Sequence, residues 1–544
     1  MNGFDETVSV LSGAGRIINP SSVETVLALD ISQDSTYNGT LEGNMGISRG
    51  GEGTLYLGGA STMTGTFFAF GGSTVVTAGP DPVTGGTPLG SPNGTVFLTS
   101  AVKLLTGDAV EVSRNVRIDP LVLGTKVIGG ATAHESTFSG DVSLFDNVTL
   151  TATNGGRVNF TGEIVDVSGT RSVTKTGAGV VNVASANFWN GGTSVEAGTF
   201  LVNNTTGSGT GAGDVTVHSG ATLGGSGSIA GSVTLNSGAT LLPGNSAGTL
   251  TIDTDLSFAA LSSVTFEIGG LLKGTQHDHV AVGGNATFAG TIQLSLDPGY
   301  YPASGNAFEL VSFGGSSGNF SNAANGARVT TTDNLGSFQI NYNATNVVAN
   351  AFQFTDTDLD GIYDAWSLKH FNQTSLVDGN GPTERYGDFD LDGMNNYGEF
   401  ITGMIPTNAA SVHEITTANV SGTSNFSVRF PTADETTFRT PVYKIQYTDD
   451  LTSPVTWTTV ASPSLTYPEA DVAQWIDDGS QTGGTAPLDL PGTVSIASWS
   501  NRSSAFLCTG ANWFRRPSCF AKPPLPFPRR IDPTDTWRES ASTP

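Results

Sequence analysis

The chain has 544 residues, which is more than a single core of ordinary size needs, so it contains either several domains or one repeat architecture. With 71 Gly and only 13% charged residues, the composition is typical of short strands joined by tight turns and excludes a mainly helical protein. The formal net charge of -25 argues against nucleic acid and anionic membranes as partners and favours cations.

The start of the chain carries no export signal. Residues 1–5 (MNGFD) lack the basic and apolar regions of a signal peptide, while an alternating strand pattern is already under way at residues 8–11. No apolar run is long enough for a transmembrane segment. Because both cysteines, Cys508 and Cys519, fall late in an acidic chain rich in Gly, Thr and Asn, we expect an extracellular or cell-surface bacterial protein that begins inside a longer one.

The strongest pattern in the first half of the chain is an internal repeat. Residues 215–223 (VTVHSGATL) recur 18 residues later as residues 233–241 (VTLNSGATL), with apolar positions alternating inside each copy. A strand of this kind buries only one face and needs a neighbour on each side. Stacked copies therefore predict a β-solenoid with turns at the Ser-Gly and Gly-Gly steps, and a β-sandwich of similar hairpins is the alternative.

A second, longer pattern links two parts of the same region. Residues 36–67, which include GEGTLYL, are echoed by residues 173–202, which include KTGAGVVNV, FWNGGTSV and EAGTFLV. These motifs resemble the autotransporter-associated β-strand repeat, over about residues 36–320. The resemblance implies an all-β fold, a right-handed parallel β-helix outside a bacterial cell. We expect it to occupy residues 1–257 and to continue as its C-terminal part or cap over residues 258–352.

Several residues of the solenoid raise enzyme hypotheses. Residues 244–248 (GNSAG) fit the nucleophile-elbow pattern, but a strand follows where that pattern needs a helix, so a solenoid turn is expected. Residues 277–279 (HDH) are expected to form a surface turn, with a metal or acid-base cluster as the alternative. Asp253 and Asp255 would share one strand face and could form a hydrolase pair.

The catalytic alternative as a whole is a β-helix polysaccharide lyase or hydrolase. A lyase needs Lys or Arg beside its acidic groups, and residues 176–272 contain neither. We therefore expect that the protein is not an enzyme. A non-enzymatic alternative is a glycan-binding module, in which a face of Thr, Asn and Ser with interleaved Phe and Trp189 contacts an extracellular glycan or another cell-surface partner.

An acidic segment follows the solenoid, and it contains two loops of calcium-binding type. In residues 388–399 (DFDLDGMNNYGE) carboxylates stand at positions 1, 3 and 5, Gly at 6 and Glu at 12, which is the oxygen-rich pattern that Ca²⁺ prefers. The predicted ligands of this loop are Asp388, Asp390, Asp392, the backbone carbonyl of Met394, and Glu399.

An upstream copy, residues 356–367 (DTDLDGIYDAWS), ends in Ser367 instead of Glu, so we expect weaker binding there. Its predicted ligands are Asp356, Asp358, Asp360 and Asp364. The pair resembles the calcium modules of dockerins and thrombospondin type 3 repeats, which implies calcium as a structural staple. The alternative is an acidic, solvated linker that holds no ion.

The end of the chain divides into three expected parts. Residues 353–408 form the paired calcium-loop module, residues 409–490 a small β-sandwich, and residues 491–544 a disordered or aberrant tail. The sequence thus predicts an extracellular structural or adhesion protein, with calcium as cofactor and a calcium-stabilised linker, acting as a surface spacer or contact module.

Overall fold

The computed structural model describes residues 3–167 and 169–413, followed by 416–419, 426–438, 443–448, 458–460, 463–469, 471–477 and 494–499. Of the expected tail, residues 491–544, only residues 494–499 are described, and they form a strand, while both cysteines lie outside the described residues. The structure is almost all β, with 44% strand and 3% helix. The chain divides into two compact units, Met1–Gln353 and Phe354–Pro544.

The first unit is built from short strands joined by turns. In chain order they are β1 (Glu6–Val8), β2 (Arg16–Asn19), β3 (Thr25–Asp30), β4 (Ser35–Tyr37), β5 (Thr40–Gly43), β6 (Met45–Gly50), β7 (Thr54–Leu57), β8 (Phe67–Ala69), β9 (Gly72–Val76), β10 (Thr95–Leu98), β11 (Val102–Thr106), β12 (Glu111–Val112), β13 (Asn115–Ile118), β14 (Lys126–Gly130), β15 (Glu135–Phe138), β16 (Val142–Leu144), β17 (Val148–Ala152), β18 (Arg157–Phe160), β19 (Ile164–Asp166), β20 (Val173–Thr176), β21 (Val180–Val183), β22 (Thr193–Val195), β23 (Gly198–Val202), β24 (Val215–Val217), β25 (Ala221–Gly225), β26 (Ser228–Ile229), β27 (Val233–Leu235), β28 (Thr240–Pro243), β29 (Thr249–Ile252), β30 (Leu256–Phe258), β31 (Ser263–Ile268), β32 (His279–Val282), β33 (Asn285–Phe288), β34 (Thr291–Leu296), β35 (Ala307–Ser312), β36 (Gly315–Gly318), β37 (Arg328–Thr330), β38 (Gly336–Tyr342) and β39 (Asn346–Phe354).

From β1 to β36, strands that follow one another along the chain lie in different sheets, and strands pair with their counterparts one coil further on. The longest sheet runs β4-β7-β9-β11-β14-β17-β20-β22-β24-β27-β30-β33-β36, and all its pairings are parallel. Two further sheets run β1-β3-β6-β8-β10-β13-β16-β19 and β12-β15-β18-β21-β23-β25-β28-β31-β34, and β2 pairs with β5. The result is a parallel β-solenoid of about 11 turns, as the sequence predicted.

The 18-residue repeat corresponds to one coil. Val215 lies directly beside Val233, and Leu223 directly beside Leu241, in parallel register. All four side chains are buried, with at most 1% of their surface exposed. Identical apolar positions therefore stack on one another inside the solenoid, and their burial favours each coil that has a neighbour.

Two buried cations mark turns of the second sequence pattern. Lys175 and Arg49 are fully buried at strand positions that face the interior. Nζ of Lys175 donates to the carbonyl oxygens one, two and 22 residues later, at 3.0, 2.7 and 2.7 Å. Arg49 donates to carbonyls at the same three spacings. The motifs KTGAG and RGGEG thus place a buried cation beside a group of turn carbonyls, which accept hydrogen bonds from it.

The solenoid ends where strand direction reverses. Its fourth sheet runs β26-β29-β32-β35-β39-β38-β37, and β35 pairs antiparallel with β39. Beside this end, Phe288 packs against Phe258, Phe313, Phe320 and Tyr342, with ring centroids 4.9 to 6.1 Å apart. Antiparallel pairing with β39 gives partners to backbone groups of β35, which otherwise would be unpaired at this end of the sheet.

The second unit begins with helices α1 (Asp364–Phe371) and α2 (Asn396–Thr402), the two helices of the described residues, and neither has the length and apolarity to cross a membrane. Seven strands follow: β40 (Thr416–Asn419), β41 (Phe426–Pro431), β42 (Tyr443–Thr448), β43 (Thr458–Thr459), β44 (Leu465–Glu469), β45 (Val472–Asp477) and β46 (Val494–Trp499).

These strands form two antiparallel sheets, β40-β41-β45-β44 and β43-β42-β46. An apolar cluster consists of Val428, Phe430, Val460, Ala473 and Trp475. The described residues of this region therefore contain two antiparallel sheets, and a small β-sandwich over residues 409–490 stays a prediction. Strand β46 lies beyond residue 490, the expected end of this module, and pairs with β42.

Candidate metal centre

The two acidic loops have the same backbone course. At position 4 of each loop, Leu359 and Leu391 adopt positive φ angles of 58° and 64°. At position 6, Gly361 and Gly393 adopt φ angles of 87° and 98°, a region that strongly favours Gly. Two left-handed residues at the same positions turn each loop tightly, so that alternate carboxylates converge.

The second loop brings three carboxylates together. One carboxylate oxygen each from Asp388, Asp390 and Asp392 lies within 4.8 Å of the other two. Ligands about 2.4 Å from a central calcium ion lie no more than about twice that distance apart, so this spacing fits one ion. The loop is held by its own amides, because Gly393 N–H donates to Asp388 at 2.9 Å and Met394 N–H donates to Asp392 at 2.7 Å.

Helix α2 positions the last predicted ligand of this loop. The side chain of Asn395 caps the helix by accepting a hydrogen bond from Gly398 N–H at 2.7 Å, and Gly403 ends it in the left-handed conformation. Glu399 therefore lies in the first turn, where the helix dipole favours a negative charge.

Glu399 is the most unusual ionisable group of the site. Its side chain is completely buried, and neither carboxylate oxygen has a hydrogen-bond partner among the described residues. Burial, together with the charges of Asp390, Asp392 and Asp388, raises the pKa of Glu399 to about 9. Glu399 is not part of the group whose oxygens lie within 4.8 Å of one another, but the charges of that group contribute to its raised pKa. A buried carboxylate without a partner is costly unless a cation offsets it.

The first loop brings together three of its four predicted ligands, Asp356, Asp358 and Asp364. All three have hydrogen-bond partners, since Asp356 accepts from Gly361 N–H at 3.0 Å, and the other two accept from hydroxyl groups. Asp364 accepts hydrogen bonds from Thr357 N–H at 2.9 Å and from the Thr357 hydroxyl, and Asp358 accepts one from the Ser375 hydroxyl. An ion at this loop would compete with these contacts for the carboxylate oxygens.

The fourth predicted ligand, Asp360, lies outside that group. One of its oxygens accepts from Ile362 N–H at 2.6 Å, and burial raises its pKa to about 6. Helix α1 starts at position 9 of the first loop, as α2 does in the second. Ser367 therefore occupies the place of Glu399, is 2% exposed, and provides no carboxylate.

Arg385, which sequence analysis did not single out, lies between the loops. Its guanidinium is 4.4 Å from the ring centroid of Tyr397 and 5.0 Å from that of Tyr386, and it forms an ion pair with Asp378 at 3.4 Å. Its charge also opposes the burial-driven rise in the pKa of Asp360. The available signal was its rarity, since the segment 353–408 has ten acidic residues and two basic ones.

Residues 277–279 (HDH) are buried, so the prediction that they form a surface turn was wrong. The exposed fractions of His277, Asp278 and His279 are 2%, 1% and 3%. Asp278 accepts hydrogen bonds from Glu267 N–H at 2.8 Å and Gly248 N–H at 3.1 Å. It therefore supports the turn that contains the GNSAG motif, a turn that connects strands β28 and β29.

The other solenoid residues considered as catalytic or glycan-binding groups make contacts inside the solenoid. Asp253 and Asp255 lie in the turn between β29 and β30, and Asp255 accepts a hydrogen bond from Asn285 N–H at 2.7 Å in the next coil. Trp189 is fully buried and donates to the Thr193 hydroxyl at 3.0 Å, so it contributes nothing to an outer contact face.

In comparisons with known proteins, the chain matches no family profile, and no curated protein is significantly similar to it.

Proposed function

We propose that this chain is an extracellular structural or adhesive protein in which a β-solenoid provides a spacer or contact surface, and in which the acidic loop 388–399 holds a structural calcium ion. The β-helix fold is compatible with surface proteins and with polysaccharide-related repeat proteins. The net charge of -25 adds to the preference for a cationic partner.

The observation that carries the calcium proposal is the buried carboxylate of Glu399. Asp388, Asp390 and Asp392 alone could be a solvated acidic cluster, because exposed carboxylates tolerate one another in water. Glu399 has no access to water and no protein donor within the described part of the chain. A hard divalent cation would displace the proton that Glu399 keeps at neutral pH, coordinate its oxygens and offset part of the charge of the three aspartates.

The donor set favours calcium over other metals. Carboxylate and carbonyl oxygens are hard ligands, while the zinc-binding and copper-binding groups Cys and His are missing from both loops. A flexible loop suits the irregular coordination of Ca²⁺ better than the strict octahedron of Mg²⁺. Extracellular modules of this kind bind at about 10⁻⁴ to 10⁻³ M, which matches calcium outside cells.

A non-enzymatic role is supported by the contacts of the candidate catalytic groups. Asp255 bonds to the backbone of the next coil, and Asp278 bonds to backbone amides on both sides. Both carboxylates therefore accept hydrogen bonds that hold turns of the solenoid.

The test is isothermal titration of calcium into the full chain, beside the Glu399→Gln and Asp390→Ala variants. We expect a site of millimolar affinity or tighter in the wild type, a loss of at least about tenfold in both variants, and weaker binding of Mg²⁺. Glu469→Gln, at an exposed carboxylate outside both loops, is the matched control. Absence of heat and of a thermal shift at several millimolar calcium in the wild type would refute the proposal.

A further inference from the structure

Glu435, which follows strand β41, contacts the C-terminal ends of both helices. Its carboxylate accepts from Nε2 of His370 at 2.8 Å and pairs with the ammonium of Lys369, and both of these residues belong to the last turn of α1. Its backbone N–H donates to the carbonyl of Gly403, the residue that ends α2, at 2.9 Å. Glu435 is 8% exposed, so these contacts are made in a largely dry environment.

An aromatic series reinforces this contact. Phe438 packs against Phe354 with ring centroids 5.2 Å apart, and Phe354 stacks on Tyr363 at 5.0 Å. Tyr363, beside Asp364 of the first loop, meets Phe400 edge-to-face at 5.2 Å, and Phe400 is the neighbour of Glu399. Packed side chains therefore connect the candidate ligands of both loops to the segment 434–438.

The helices cannot hold this arrangement by themselves. They have eight and seven residues, and isolated helices shorter than about 12 residues are marginal in water. Helix α2 also starts beside the clustered carboxylates of Asp388, Asp390 and Asp392, whose mutual repulsion opposes its formation. Anything that neutralises those carboxylates stabilises the helix and, through Gly403 and Phe400, the contacts of Glu435 and Phe438.

We propose that the segment 434–438 is a calcium-dependent clamp, so that cation binding at the loops and docking of this segment onto the two helices stabilise each other. The proposal rests on the calcium site proposed above and adds its regulation. Coupling of this kind is reciprocal: calcium orders the segment, and loss of the Glu435 contacts weakens calcium binding by the same factor.

The experiment uses the full chain and two readouts, calcium affinity by titration and amide hydrogen exchange of β41 and residues 434–438. In the wild type, calcium at 100 times its Kd is expected to slow exchange there by up to about 100-fold. Glu435→Gln is expected to weaken calcium binding about tenfold and to reduce that slowing. Glu469→Gln, an exposed carboxylate of β44 that pairs with Arg429 at 3.9 Å, is the matched control and should change neither.

Because Glu435→Gln removes a buried contact and could unfold the unit, Lys369→Gln provides a second variant. Lys369 is 47% exposed, so its loss is tolerable, and the same change in direction is expected. Wild-type calcium affinity in both variants, or exchange at 434–438 that ignores calcium while the wild type binds it, would overturn the clamp and leave the calcium site intact. A wild type that binds no calcium would remove both proposals.

Discussion

At the scale of single residues, the buried ammonium of Lys175 shows how a charge is kept inside a β-solenoid. Three backbone carbonyls accept from it, and burial lowers its pKa to about 8, so it carries its charge at neutral pH. Lys175→Met keeps the volume and removes the donor. We expect it to lower the free energy of unfolding by about 2 kcal/mol, because buried carbonyls lose their partner.

Thermal unfolding measures this effect, with Lys103→Met as a control, since Lys103 lies exposed on strand β11. Stabilisation by Lys175→Met would contradict the expectation, and would show that the cost of burying the charge exceeds the value of its three hydrogen bonds.

The adjacent residues Asp278 and His279 should give stability two opposite dependences on pH. Burial raises the pKa of Asp278 to about 7, and burial followed by the charge of Lys273 lowers the pKa of His279 to about 4. Folded Asp278 keeps a proton that the unfolded chain releases, so its contribution falls as pH rises from about 4 to 7. Folded His279 lacks a proton that the unfolded chain takes up, so its contribution falls as pH drops from about 6.5 to 4.

In the wild type the two slopes largely cancel, and single variants should reveal each one. Asp278→Asn is expected to make the slope of stability against pH between 4 and 6.5 more positive than in the wild type, and His279→Gln to make it more negative, each by at most about 1.4 kcal/mol per pH unit. Urea unfolding across this range measures both, with exposed His218→Gln as control. Changes of slope with the same sign in both variants would show that the two residues do not titrate in this way.

At the scale of elements, the two loop-helix segments are aligned position by position, which makes the weaker loop repairable. Each helix starts at position 9 of its loop, and Ser367 and Glu399 are the fourth residues of α1 and α2. Ser367→Glu should therefore strengthen calcium binding at the first loop by about tenfold or more, and destabilise the calcium-free chain, because it buries a carboxylate.

Calcium titration in a Glu399→Gln background isolates the first loop for this test. Unchanged affinity there would mean that the contacts of Asp364 with Thr357 and of Asp358 with Ser375 keep the loop closed to the ion.

The elements differ in how far the sequence alone could predict them. The coil was predictable because its 18-residue period repeats the apolar pattern, and the loops were predictable because their carboxylates are spaced within 12 residues. The hydroxyl of Ser375 on Asp358 bridges 17 residues, and the contact of Glu435 with His370 bridges 65, and no local pattern marks either pair. Buried Lys175 was hidden for another reason, since a charge at an inward strand position contradicts the apolar alternation that reveals the strand.

At the scale of the whole molecule, the solenoid is a one-dimensional stack in which each coil contacts its two neighbours, so its length should be adjustable by whole coils. Deleting residues 215–232 removes one 18-residue period and joins Asp214 to Val233. The strands before the cut, β22 and β23, then meet β27 and β28 in the register that β24 and β25 had occupied. Inward-facing Val and Leu positions stay inward, and we expect a folded chain whose Tm lies within about 5 °C of the wild type.

A deletion one residue shorter, 215–231, is the matched control for this prediction. It shifts every following side chain of the joined strand by one position, and because side chains alternate between the two faces, it turns Val233 and Leu235 toward solvent. Circular dichroism and thermal unfolding should therefore show a cooperative β protein for the 18-residue deletion and a loss of cooperativity for the 17-residue one. Equal behaviour of the two deletions would mean that the coils are not held by the stacking of equivalent apolar positions.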